Sequence, residues 1–146
     1  MQPARTYGNG AKVILCAEDD DAAYSLMELG FDETGGDFRL YRVEDGTQAL
    51  DFLRHAGPYA LVPKPDLVLL NLNMPRLGGI GVLEAVKQDH TLANVPVVVF
   101  SSSSLDVDRG RCLALGARSF LTKPTDLNDF LAILRHVCDL AGTPGR

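Results

Sequence analysis

The chain has no apolar run long enough to span a bilayer. Its opening residues, MQPARTYGNGAK, are polar and hold no apolar core, so no secretory signal is expected. A cytoplasmic protein with no membrane partner is the expectation. Basic residues are in the minority, with 14 Lys and Arg against 19 Asp and Glu and a net charge of −5. That balance argues against a nucleic-acid partner. Cysteine is sparse as well. Cys16, Cys112 and Cys138 are odd in number, widely spaced and set among apolar residues, which excludes a disulfide or zinc pattern. They read as small buried hydrophobes. His55, His90 and His136 stand alone in helix-like or turn-like segments and read as solvated surface. There is no internal repeat.

What is present is a globular alternation. At 146 residues the chain is one domain of ordinary size, able to bury a real core. The expected organisation is an arm over 1–11, a domain over 12–140 and a tail over 141–146. KVILCA, FRLYRV, DLVLL, VPVVVF and SFLT read as five strands. Between them lie helical patterns. One runs from Asp21 to about Glu33, with Ala23, Leu26, Met27 and Gly30 on one face and Asp20 or Asp21 as cap. A second follows the Asp45–Gly46 turn and shows Ala49, Leu50 and Leu53. GVLEAVKQ buries Val82, Leu83 and Val86, and a weakly amphipathic segment runs from Leu105 to Leu115. The last begins near Asp126 with Leu127, Phe130, Leu131, Leu134 and Val137 at helical spacing. The strands are apolar throughout, as in a parallel sheet covered on both faces. The fold class is therefore α/β, a doubly wound five-stranded parallel sheet. Its site is expected at the carboxyl ends of the strands.

The first polar residues past those ends are Glu18 and Asp19, Asn71 and Asn73, Ser101, and Lys123 followed by Pro124. One acid after a strand is usually a turn or a cap, and a lone lysine is usually surface. Four separated segments converging on one rim carry more weight.

Together, ILCAEDD, LVLLNLNMPRLGG, VVVFSSS and ARSFLTKP resemble the receiver domain of two-component response regulators. The likeness runs from about Lys12 to about Leu140. It implies a CheY-like, flavodoxin-like (βα)5 sheet of strand order 2-1-3-4-5. The long loop before the third strand resembles single-domain regulators associated with phytochrome-type histidine kinases. By resemblance, Mg²⁺ would be held directly by Asp19, through water by Glu18, and by residue 71 and the Asn73 carbonyl. Ser101 would bind a phosphoryl oxygen, small Ser102 would leave room beside it, and Lys123 would offset its charge. This matches the general need of phosphoryl transfer for cations around the equatorial oxygens. Phe120 would be the aromatic switch, though plain core is nearly as good a reading. The Lys123–Pro124 bond would be cis in the family.

The departure is Asn71, where the family carries its phosphoacceptor aspartate. A neutral carboxamide is no nucleophile toward phosphorus. It also removes one of three negative charges, so Mg²⁺ affinity is expected to fall. Three readings stay open. Asn71 belongs to a natural pseudo-receiver that acts by docking; or it is an engineered change blocking phosphorylation in a normal regulator; or the chain is a small phosphatase-like enzyme of related fold. NLN has the spacing of an Asp-x-Asp nucleophile but neither acid, which disfavours the last. No output domain is expected, so output would be protein contact. By resemblance the partners are a histidine kinase, a phosphotransfer protein or another signalling protein. The resemblance also implies a homodimer through the fourth helix, fifth strand and fifth helix.

Overall fold

The structure is a computed structural model and describes residues 10–142. Most of the expected arm and the last four residues of the expected tail lie outside the described residues. Five strands run in parallel: β1 (Lys12–Ala17), β2 (Phe38–Val43), β3 (Leu67–Leu70), β4 (Val97–Ser101) and β5 (Ser119–Thr122). They lie in the order β2-β1-β3-β4-β5, as expected. The helices are α1 (Asp21–Glu33), α2 (Gly46–Leu53), α3 (Gly79–Gln88), α4 (Asp106–Ala114) and α5 (Leu127–Gly142). Among the described residues, no helix is long and apolar enough to cross a membrane.

Side chains alternate across a strand, so each central strand feeds two cores. Ile14, Cys16, Leu67, Leu69, Val98 and Phe100 pack with α1 and α5. Leu15, Ala17, Val68, Leu70, Val97 and Val99 pack with α2, α3 and α4. Both faces being covered is why these strands read as unbroken apolar runs. Three helices begin on an aspartate. Asp20 accepts the Ala23 N–H at 3.2 Å, Asp45 the Gln48 N–H at 2.8 Å and Asp126 the Asp129 N–H at 3.0 Å. Each satisfies a donor that the first helical turn leaves open.

The buried stripe of α1 differs from the expected one. It is Tyr24, Met27, Gly30 and Phe31, while Leu26 is exposed. The aromatic rings win the core position because they bury more apolar area per residue. At α5, Phe130, Leu134 and Val137 are buried as expected, but Leu127 is exposed. Leu127 opens the first turn, beyond the reach of the sheet. The helix also continues past residue 140 to Gly142, with Ala141 buried. No peptide bond among the described residues is cis, so the Lys123–Pro124 bond is trans, contrary to the family-based expectation. For an X–Pro bond the two forms differ by only about 0.5–1 kcal/mol in favour of trans.

Close approach of α3 to β3 depends on Gly79. A Cβ there would lie 2.7 Å from the Asn71 carbonyl oxygen and 2.8 Å from the Leu72 Cα. At Gly30 the nearest atom to a new Cβ is instead the Leu134 Cδ1 methyl, at 2.1 Å. A side-chain tip can yield where backbone cannot. Gly79→Ala is therefore expected to lower urea stability by about 1–3 kcal/mol, as overpacked sites do. Gly30→Ala is expected to cost less, because the gain in helix propensity offsets part of the strain. Equal losses in the two variants would show that backbone contact is not what decides.

Candidate functional site

The carboxyl ends of β1, β3, β4 and β5 lie on one edge of the sheet. Parallel pairing puts them there: Ala17 is in register with Leu70, and Ser101 with Thr122. The residue after each strand inherits that position. The Asn71 N–H bonds to the Ala17 carbonyl at 3.1 Å and the Lys123 N–H to the Ser101 carbonyl at 2.7 Å.

Glu18 is the centre of this edge. Its side chain is fully buried, and Lys123 Nζ pairs with its Oε1. Lys123 is itself mostly buried and stands 5.9 Å from the centroid of the Phe100 ring. The other carboxylate oxygen, Oε2, accepts from the Asp20 N–H at 3.2 Å and from Asn71 Nδ2 at 3.0 Å. Asp19 is exposed. The Cys16 thiol lies two residues back along β1, where burial and then the Glu18 charge push its pKa far up. It is an inert thiol, as expected for a buried cysteine.

Asn71 is buried and joins the cluster through its nitrogen. Besides Glu18, Nδ2 donates to Asp19 Oδ1 at 3.2 Å and to the Asn73 carbonyl at 3.2 Å. Its oxygen accepts the Asn73 N–H at 3.4 Å. All four residues expected around a metal are thus brought together. As the side chains stand, they do not fit a divalent cation. Mg²⁺ needs oxygen donors, and the amide turns two N–H groups toward the oxygens such an ion would use. Among the described residues, no three His, Cys, Asp or Glu side chains converge as a metal-holding group.

Ser101 is fully buried and its Oγ accepts the Ser103 N–H at 3.3 Å, whereas Ser102 is exposed. Phe120 is buried in the core on the α2–α4 side. Arg109 of α4 covers it, with the guanidinium carbon 5.6 Å from the ring centroid and Nη2 donating to the Phe120 carbonyl at 3.2 Å. The Ser103 loop is held twice more: Ser103 Oγ donates to Asp108 at 2.6 Å, and Thr122 Oγ1 donates to the Ser103 carbonyl at 3.2 Å.

Two neighbours escaped sequence reasoning. Arg42 at the end of β2 donates to the Glu18 carbonyl at 3.0 Å and pairs with Asp21 at 2.8 Å, its guanidinium over the Tyr24 ring. Arg42 is one of two arginines in FRLYRV, and nothing in the sequence singles it out from Arg39. Arg76, in the loop after β3, has a φ of 64° and pairs with the buried Asp45 at 3.2 Å. A left-handed arginine carries no sequence signature.

Removing one partner of a buried ion pair exposes the other to its full desolvation cost. Lys123→Met is therefore expected to lower urea stability by about 3 kcal/mol, with part recovered when Glu18→Gln is added. Simple addition of the two losses would mean that Lys123 does not compensate Glu18.

The response regulator receiver domain family model matches residues 14–135. Response regulator Rcp1 of Synechocystis sp. is 34% identical over 129 residues, covering 88% of this chain and 88% of that protein. Among solved structures, the phosphorylated cyanobacterial phytochrome response regulator RcpA is 33% identical with a TM-score of 0.83, covering 88% of this chain and 91% of its own. The Mn²⁺-bound form of response regulator Rcp1 is 34% identical with a TM-score of 0.80, covering 86% of this chain and 91% of its own. A parallel sheet in this order, an acid pair and a lysine gathered at one edge, and these likenesses agree: the chain belongs to the response regulator receiver family.

Proposed function

We propose that this receiver acts in two-component signal transduction by protein–protein docking, with phosphoryl transfer at the usual position closed by Asn71. The observation that carries the reading is the Asn71 carboxamide at the end of β3, hydrogen-bonded among Glu18, Asp19 and Asn73. A carboxylate there could attack phosphorus; a carboxamide cannot. The chain is then a signalling module and not an enzyme, working in the cytoplasm. Mg²⁺ is held weakly, because two acids remain where the family resemblance implies three. In this reading Ser101, Ser102 and Lys123 are the remnant phosphoryl pocket, and Phe120 is the remnant switch.

The partner is a histidine kinase, a phosphotransfer protein or another signalling protein. A second copy of the chain is a further candidate for the face built from α4, β5 and α5. Leu105, Val107 and Leu113 stand exposed on or beside α4, with Val107 75% exposed. Exposed apolar side chains on this helix are what a protein contact there would cover.

Incubation with acetyl phosphate and Mg²⁺, followed by intact-protein mass measurement, tests the central claim. Only Asn71→Asp is expected to gain a phosphoryl mass. A gain in the unaltered chain would locate an acceptor elsewhere and end the docking-only reading. For the second copy, sedimentation of the unaltered chain and of Val107→Asp is decisive. A dimer lost in the variant is expected, and a monomer in both removes the dimer.

A further inference from the structure

The Asn71 carboxamide has its orientation set at both ends. Its oxygen accepts from Asn73 N–H, and its nitrogen lies 3.0 Å from Glu18 Oε2, 3.2 Å from Asp19 Oδ1 and 3.2 Å from the Asn73 carbonyl oxygen. Turned over, it would set an oxygen against three oxygens and lose the Asn73 donation. Two of the three acceptors are carboxylates, which makes those bonds charge-assisted and stronger than neutral ones. The remaining lobe of Glu18 is occupied by Lys123. The acid pair is therefore satisfied by groups the chain itself supplies.

We propose that this receiver carries its own substitute for a divalent cation: Asn71 Nδ2, with Lys123, holds Glu18, Asp19 and the Asn73 carbonyl together. The inference rests on Asn71 as a silenced acceptor and goes one step further. The rim is assembled and stable without metal. A cation entering here must displace the two Asn71 N–H donors from the three oxygens they share, and residue 71 offers it only one neutral oxygen in exchange. Asn71→Asp reverses the sign of the arrangement. It removes the donor, adds a third carboxylate to the cluster and leaves repulsion that a cation relieves. Its affinity for Mg²⁺ is expected to exceed that of the unaltered chain by at least about tenfold.

The full chain, Asn71→Asp and Asn71→Ala are melted with EDTA and with millimolar Mg²⁺, followed by far-UV circular dichroism. The unaltered chain is expected to melt at the same temperature in both. Asn71→Asp is expected to melt lower in EDTA and to rise with Mg²⁺ by at least about 3 °C. If it is unfolded in EDTA, folding on addition of Mg²⁺ is the same result in stronger form. Asn71→Ala, which loses the nitrogen without gaining a charge, is expected to melt below the unaltered chain in EDTA. The side-chain amide resonance of Asn71, identified by its loss in the variants, is expected to hold its position when Mg²⁺ is added. The proposal is overturned if the unaltered chain gains as much from Mg²⁺ as Asn71→Asp does. It is also overturned if Asn71→Ala melts as high as the unaltered chain in EDTA. Neither result touches the mass measurement above, because a carboxamide that binds Mg²⁺ is still not a nucleophile.

Discussion

A carboxylate with no exposure to water is costly unless its lone pairs are filled, and Glu18 is such a group. The residues that fill them come from separate parts of the chain: Lys123 after β5, Asn71 after β3, and the backbone of Asp20 at the start of α1. Satisfying one buried charge thus ties together the ends of strands that parallel pairing alone would leave as loose loops. The same demand explains the order of the sheet edge. Glu18 follows a central strand, so its partners can reach it from several neighbours at once. Arg42 adds support from the other side, through the Glu18 carbonyl.

Within this frame Asn71 does more than remove a reactive group. Aspartate at that position would stand as a third carboxylate among oxygens. The carboxamide offers donors to the same neighbours without introducing charge of its own. A carboxamide is no nucleophile toward phosphorus, yet it holds the rim together by hydrogen bonds. Under the docking reading proposed above, the rim's shape would not depend on covalent modification at residue 71.

The central strands β1, β3 and β4 were legible because burial on both faces leaves runs with almost no polar residues, whereas β2, with Arg39 and Arg42, was legible from its aromatic and β-branched content. β2 and β5 matched FRLYRV and SFLT residue for residue. Most rim residues were legible because they close an apolar run: Glu18 and Asn71 directly follow β1 and β3, and Ser101 ends β4. Helix faces were less legible. Ala23 and Leu26 fitted the helical period of α1 as well as Tyr24 and Phe31 do, and only the neighbouring α5 decides which stripe turns inward. The orientation of the Asn71 amide was beyond sequence reasoning, since it depends on which atoms surround it. The same holds for Arg42 and for Arg109 over Phe120, both contacts between elements distant along the chain.

Arg109 grips β5 twice, by its charge on the Phe120 ring and by its bond to the Phe120 carbonyl. The Ser103 hydroxyl and carbonyl fasten the preceding loop to Asp108 and Thr122. Helix α4 and the edge strand are thereby clamped as one mechanical piece. From the exposed side of α4 these contacts run to the strand and, one residue past Thr122, to the lysine that pairs with the buried acid.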